Sequence, residues 1–198
     1  MKTFNKAAMF GLDARIALAI FGALSVISGA ALYSAIQESK IISALAEINE
    51  ISKATEQIYL DTGSPVQGRG TSTAADINTI YSAIFNKSYS TSGWNGPYLS
   101  YPLSSTSTDY VTHPTMSTVR LYTLDSSKSW NQYDNGYCTA GSTCELWLAF
   151  DDAGETIAKG LDKRIDVTES NNQGDVRYQL ILNKYQFYIK LYPIKNPN

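Results

Sequence analysis

Several places in the chain carry residue types that could do chemistry. Cys138 and Cys144, in YCTAGSTCEL, are the only cysteines. Gly141 and small polar residues separate them, so the two sulfurs can close on one another without steric cost. A disulfide there requires an oxidising compartment. Zinc is the weaker reading, because His113 is the only histidine and there is no further cysteine pair; two unpaired surface thiols are the remaining alternative. LDTGS, Leu60–Ser64, carries the Asp-Thr-Gly of aspartic proteases in a single copy. That chemistry needs two carboxylates sharing a proton, and here a helical pattern precedes the motif where a strand is wanted. A helix end followed by a turn explains the same residues. Asp162, Asp166, Glu169 and Asp175 could offer oxygens to calcium, at a spacing that is not that of a dedicated calcium loop; a solvated acidic helix end and loop is the preferred reading. His113, in VTHPTM, is read as a surface loop residue. Asp13 and Arg15 stand just before a long apolar run, where an ordinary anchor has no use for a carboxylate. No Ser/His/Asp grouping and no phosphate-cradling glycine loop is present, so the reading is a non-enzyme with no metal and no cofactor.

The element that must position Asp13 is a helix. Ile16–Ala35 holds twenty residues without a charge, and a bilayer span takes about 20. A cleaved signal peptide, with Ser28-Gly29-Ala30 as its small-x-small site, is the alternative. The run exceeds the roughly 7–15 residues of a signal core, and the helical pattern continues past it. Ile41, Ala44, Leu45, Ile48, Ile51, Ala54, Thr55 and Ile58 recur at spacings of three and four, the stripe of an amphipathic helix. No proline occurs before Pro65, so one helix from about residue 10 to about residue 60 is expected. Lys2, Lys6 and Arg15 precede the span and Glu38 follows it, which places the N-terminus in the cytoplasm and exports the rest. Charged residues make up 17% of the chain and there are fourteen tyrosines, a weakly charged polar surface that suits an extracytoplasmic domain. The net charge of −2 with no basic block argues against nucleic acid as a partner.

Beyond the long helix, Thr73-x-x-Asp76 forms a capping box, and Ile77, Ile80, Tyr81, Ile84 and Phe85 predict a second helix at about 74–86. Strands are expected at about 117–124, 144–150, 175–182 and 184–191, the last two as a hairpin joined at Asn183-Lys184. The segment DDAGETIAKGLDKRI predicts a helix that starts near Asp151 or Asp152. The fold class is α+β: a long N-terminal helix laid on an antiparallel sheet.

The N-terminus resembles that of type IV prepilins and type II secretion pseudopilins, in which a short basic leader precedes an apolar helix with an acid at its fifth position and a glycine near its fourteenth. A cut between Ala8 and Met9 leaves the leader MKTFNKAA and places Asp13 fifth and Gly22 fourteenth. The chain departs from that pattern in having Ala8 where the family has Gly, Asp13 where it has Glu, Arg15 within the helix, and Gly29 and Ala30 where a proline is common. IYLDTGSPVQG at 58–68, GWNGPYLSY at 93–101, leading into a first strand, and LDKRIDVTESNNQGDVRY at 161–178 are similar to later segments of the same family. The resemblance implies a leader peptide over residues 1–8, a transmembrane and assembly helix over 9–36 and a pilin-like globular domain over 37–198. It implies a structural subunit of a filament or pseudopilus in the bacterial inner membrane, with prepilin peptidase and other pilin-like subunits as partners and Met9 as the methylated N-terminus. Asp13 would then neutralise the α-amino group of a neighbouring chain and fix the register; the plainer alternative is that it only favours the positive end of the helix dipole. The alternative is an uncleaved, membrane-anchored extracytoplasmic binding module.

Overall fold

A computed structural model of the chain describes residues 5–66, 68, 84, 92–102, 111–127, 136–168 and 170–196, with the backbone alone for 5–10. Its elements in order are α1 (Asn5–Thr62), β1 (Val111–His113), β2 (Ser117–Leu124), β3 (Cys144–Phe150), α2 (Glu155–Ile165), β4 (Val176–Ile181) and β5 (Lys184–Ile194). The strands form one antiparallel sheet in the order β1-β2-β3-β5-β4. The chain divides into two compact units, residues 1–42 and 43–198.

α1 is a single helix through both halves of the expected pattern, as the absence of proline allows. It stops where the sequence supplies a stop. Gly63 takes φ +69° and its N–H returns to the Tyr59 carbonyl at 2.9 Å, the hydrogen bond of a left-handed helix cap, and Pro65 follows. Thr62 adds a hydroxyl bond to the Ile58 carbonyl at 2.7 Å. LDTGS is therefore a helix end, as its simpler reading required.

Within the unit 43–198, the stripe Ala44, Ile48, Ile51, Ala54, Thr55 and Ile58 is buried, each isoleucine contributing about 1.5–3 kcal/mol. It lies on the sheet face that carries Val119, Leu121, Leu146, Leu148, Phe150, Phe187 and Ile189, all buried. Glu47 reaches His113 of β1, while the Thr55 hydroxyl turns back to the Ser52 carbonyl at 2.7 Å. On the same face Phe150 and Phe187 stack at 4.8 Å. The opposite face gathers Leu124, Trp147, Ala149 and Tyr188, flanked by Tyr122 and Tyr137. Every residue of β3 is buried, because this central strand is covered on both faces, and its run CELWLAF is correspondingly apolar rather than alternating.

Four boundaries differ from expectation. α2 starts at Glu155, after Gly154 at φ +78°, and not near Asp151 or Asp152. Asp151 is engaged by Arg120 at 3.0 Å and Gln186 at 3.1 Å, and Asp152 by Lys184 at 3.3 Å, so neither carboxylate caps the helix. The β4–β5 turn is Leu182-Asn183, one residue earlier than expected; both have positive φ, 48° and 62°, as the tight hairpin turn matching strand twist demands. β5 runs on to Ile194. Residues 94–102 contain no strand, so GWNGPYL does not enter one directly. The helix expected at 74–86 and its capping box lie outside the described residues, except Ile84, which is helical and fully buried.

Candidate functional site

The candidate site of assembly or anchoring is a surface, the N-terminal half of α1. Every side chain from Gly11 to Ile36 is exposed, including Phe21 at 70% and Val26 at 73%. The helix is long and apolar enough to cross a membrane, and its most apolar stretch is buried nowhere. A helix apolar on all sides and buried on none needs lipid or other helices around it. Asp13 and Arg15 are both exposed on it. Two residues along a helix is a rotation of about 200°, so they point to opposite sides and do not pair with each other. The peptide bond between Ala8 and Met9 lies inside α1; the side chains of these two residues are outside the described set.

In the unit 43–198 the remaining candidates are placed apart from one another. Asp61 of LDTGS sits in the last turn of α1. One carboxylate oxygen accepts the Tyr98 hydroxyl at 2.6 Å and the other accepts Gln57 Nε2 at 2.7 Å. Burial, then the Asp61 hydrogen bond, raises the Tyr98 hydroxyl above its ordinary pKa. Gly93, at φ +84°, passes so close that a Cβ there would stand 2.2 Å from the Asp61 carbonyl oxygen. Asp61 is thus a tether between the helix end and the GWNGPY segment.

His113 is not a surface loop residue. It ends β1 and is 3% exposed, because α1 covers the edge of the sheet at that point. Its Nε2 meets a Glu47 carboxylate oxygen at 2.5 Å. Its Nδ1 accepts the backbone N–H groups of Met116 at 3.0 Å and Thr115 at 3.2 Å. The ring packs edge-on against Phe150.

Cys138 and Cys144 form a disulfide with Cα atoms 5.6 Å apart. The loop it closes is held from the C-terminal side as well: Asn196 Nδ2 donates to the carbonyls of Thr139 at 2.9 Å and Ser142 at 2.8 Å.

The acidic segment is only partly the solvated helix end expected of it. Asp162 is 1% exposed and accepts the Ser170 N–H at 3.2 Å. Asp166 accepts the N–H groups of Asp175 at 3.0 Å and Val176 at 2.9 Å, which secures the start of β4. Asp175 pairs with Lys190. These carboxylates hold the loop; among the described residues no three His, Cys, Asp or Glu side chains converge. Glu169 lies outside the described residues.

Glu47 at His113, Tyr98 at Asp61 and Asn196 at the disulfide loop stand 66, 37 and 54 to 57 residues away, beyond the reach of any local pattern. The comparisons with protein-family models, with characterised proteins and with solved structures give no match.

Proposed function

We propose that the chain is a structural subunit of a type IV pilus-like filament or a type II secretion pseudopilus. The observation that carries this reading is α1: one helix whose charge-free run 16–35 is unburied, whose C-terminal part lies on an antiparallel sheet, and which bears Asp13 just before the apolar run. In this reading a prepilin peptidase removes residues 1–8, Met9 becomes the N-terminus, residues 9–36 are the span and assembly helix, and residues 37–198 form the exported domain. The new α-amino group, with a pKa of about 8, is mostly charged at neutral pH. Buried among apolar helices it needs a partner, and Asp13 of a neighbouring copy supplies one. Such a pair adds little net stability but costs about 3–5 kcal/mol to break, so it selects the register in which every amine meets a carboxylate. The disulfide accords with export to an oxidising compartment.

N-terminal sequencing of the membrane-extracted protein tests the reading. The expected start is Met9. A start at Met1 supports the uncleaved anchored binding module instead, and a start near Ala31 identifies a signal peptide. Asp13→Asn tests the register separately: it should leave membrane insertion intact and abolish cross-linkable oligomers, because a neutral amide cannot compensate the amine.

A further inference from the structure

An open cleft of about 540 Å³ lies between α2 and the β4–β5 hairpin, walled by Lys159 of α2, Ser170 and Asn171 of the loop between α2 and β4, Tyr178 and Leu180 of β4 and Tyr185 of β5. That volume is within the range of small-ligand sites. Three features restrict what it can accept.

The first is charge. Among the described residues Lys159 is the only ionic group in the cleft walls, and its ammonium is held at 2.5 Å by Glu155, one turn earlier on α2. An anion would have to displace Glu155, and a cation would meet Lys159, so the cleft favours a neutral guest. The second is apolar surface. The rings of Tyr178 and Tyr185 stand 6.4 Å apart with planes inclined at 40°, and Leu180 beside them is 57% exposed. The third is a fixed set of hydrogen-bonding groups. The Asn171 carboxamide has no hydrogen-bond partner among the described residues, and the Ser170 hydroxyl donates to Asn172 Oδ1 at 3.1 Å, which leaves its lone pairs to accept. The loop that presents them is anchored at both residues: the Ser170 N–H donates to the buried Asp162 carboxylate, and the Asn171 carbonyl accepts the Tyr178 N–H at 3.1 Å. Donors and acceptors held on a pinned backbone lose less entropy on binding than those on a free loop.

A guest that is neutral, carries an apolar face and presents several hydroxyls on its rim is a sugar. We infer that this cleft binds a neutral saccharide, with its C–H face on the Tyr178 and Tyr185 rings and its hydroxyls on Asn171 and Ser170. This goes beyond the assembly role and does not depend on it, since all the described walls of the cleft lie between Lys159 and Tyr185 of one chain.

Saturation-transfer NMR on the full chain in lipid nanodiscs, which avoids sugar-headed detergents, tests the inference with lactose, maltose and cellobiose as neutral probes and inorganic phosphate as competitor. The expected result is transfer to at least one disaccharide with a dissociation constant of about 1 mM, weakened about tenfold by Asn171→Ala through loss of one hydrogen-bonding side chain. Asn171→Ser, which keeps a hydroxyl, should lose less. The inference is overturned if none of the three sugars shows transfer at about 10 mM, tenfold above that constant. It is equally overturned if Asn171→Ala binds as the parent does, or if phosphate displaces the sugar, which would make the cleft an anion site.

Discussion

His113 donates through Nε2 to the carboxylate of Glu47, 66 residues earlier in the chain, at 2.5 Å. The direction follows from the other side of the ring. Nδ1 accepts two backbone N–H groups, so the ring's single proton lies on Nε2, a tautomer assigned from the hydrogen-bond network. One side chain thereby ties α1 to β1 and satisfies the turn after β1. His113→Leu should lower the unfolding free energy by about 2–4 kcal/mol, since it strands buried donors of the turn. His113→Gln, which can donate to Glu47 and accept from the turn, should recover part of the loss. Guanidinium unfolding followed by circular dichroism checks both, and equal losses for Leu and Gln would sink the tautomer assignment.

The stripe from Ala44 to Ile58 is buried inside the unit 43–198, so that unit does not need the apolar half of α1 to cover it. A fragment starting at Gln37 should be a folded, soluble monomer. Size-exclusion chromatography with light scattering checks this; aggregation or molten-globule dye binding would show that the stripe needs another cover.

Reduction of Cys138–Cys144 should be felt at Asn196. The bridge closes a short loop across a sequence separation of 6, so the chain-entropy model assigns it about 2 kcal/mol. The two Asn196 hydrogen bonds depend on the loop staying closed. Mass spectrometry of the non-reduced, alkylated protein should find the two cysteines linked, and reduction should raise amide exchange in the 139–143 loop and around residue 196. Two freely alkylated thiols would refute the bridge.

Stability should fall on the alkaline side. Burial raises the Tyr188 hydroxyl above its ordinary value of 10.0, and burial is also the first cause of the rise at Tyr101 and Tyr192. A phenol whose folded pKa lies above its unfolded one keeps its proton longer in the folded state. Its contribution is therefore complete below about pH 10 and lost as pH rises above it, at a limiting slope of about 1.4 kcal/mol per pH unit for each group. Tyrosinate absorbance should appear in two stages, exposed phenols first and the buried ones together with loss of the sheet signal. Tyr188→Phe should make the alkaline decline shallower. All fourteen tyrosines titrating near pH 10 with the sheet intact would contradict the burial.

Much of the fold was legible in the sequence because its signals are local. Absence of proline, a charge-free run and a three-and-four stripe describe α1 within a few turns of any point, and Gly63 with Pro65 marks its end. The four longer strands announce themselves by apolar content and alternation, and the cysteine pair by its short, small-residue spacing. What only the tertiary structure decided are pairings across distance and the burial that follows from them. VTHPTM reads as a polar loop until α1 is laid over it, and then the same histidine is a buried donor. Asp61 reads correctly as part of a helix end, but its hydrogen bond from Tyr98, 37 residues on, is written nowhere near it. Asp162 looked solvated because charge is a local property of a sequence, whereas its cover is supplied by a loop whose course the sheet topology sets. A side chain's type is written at its own position, but its environment is contributed by residues whose proximity exists only once the chain has closed its long loops.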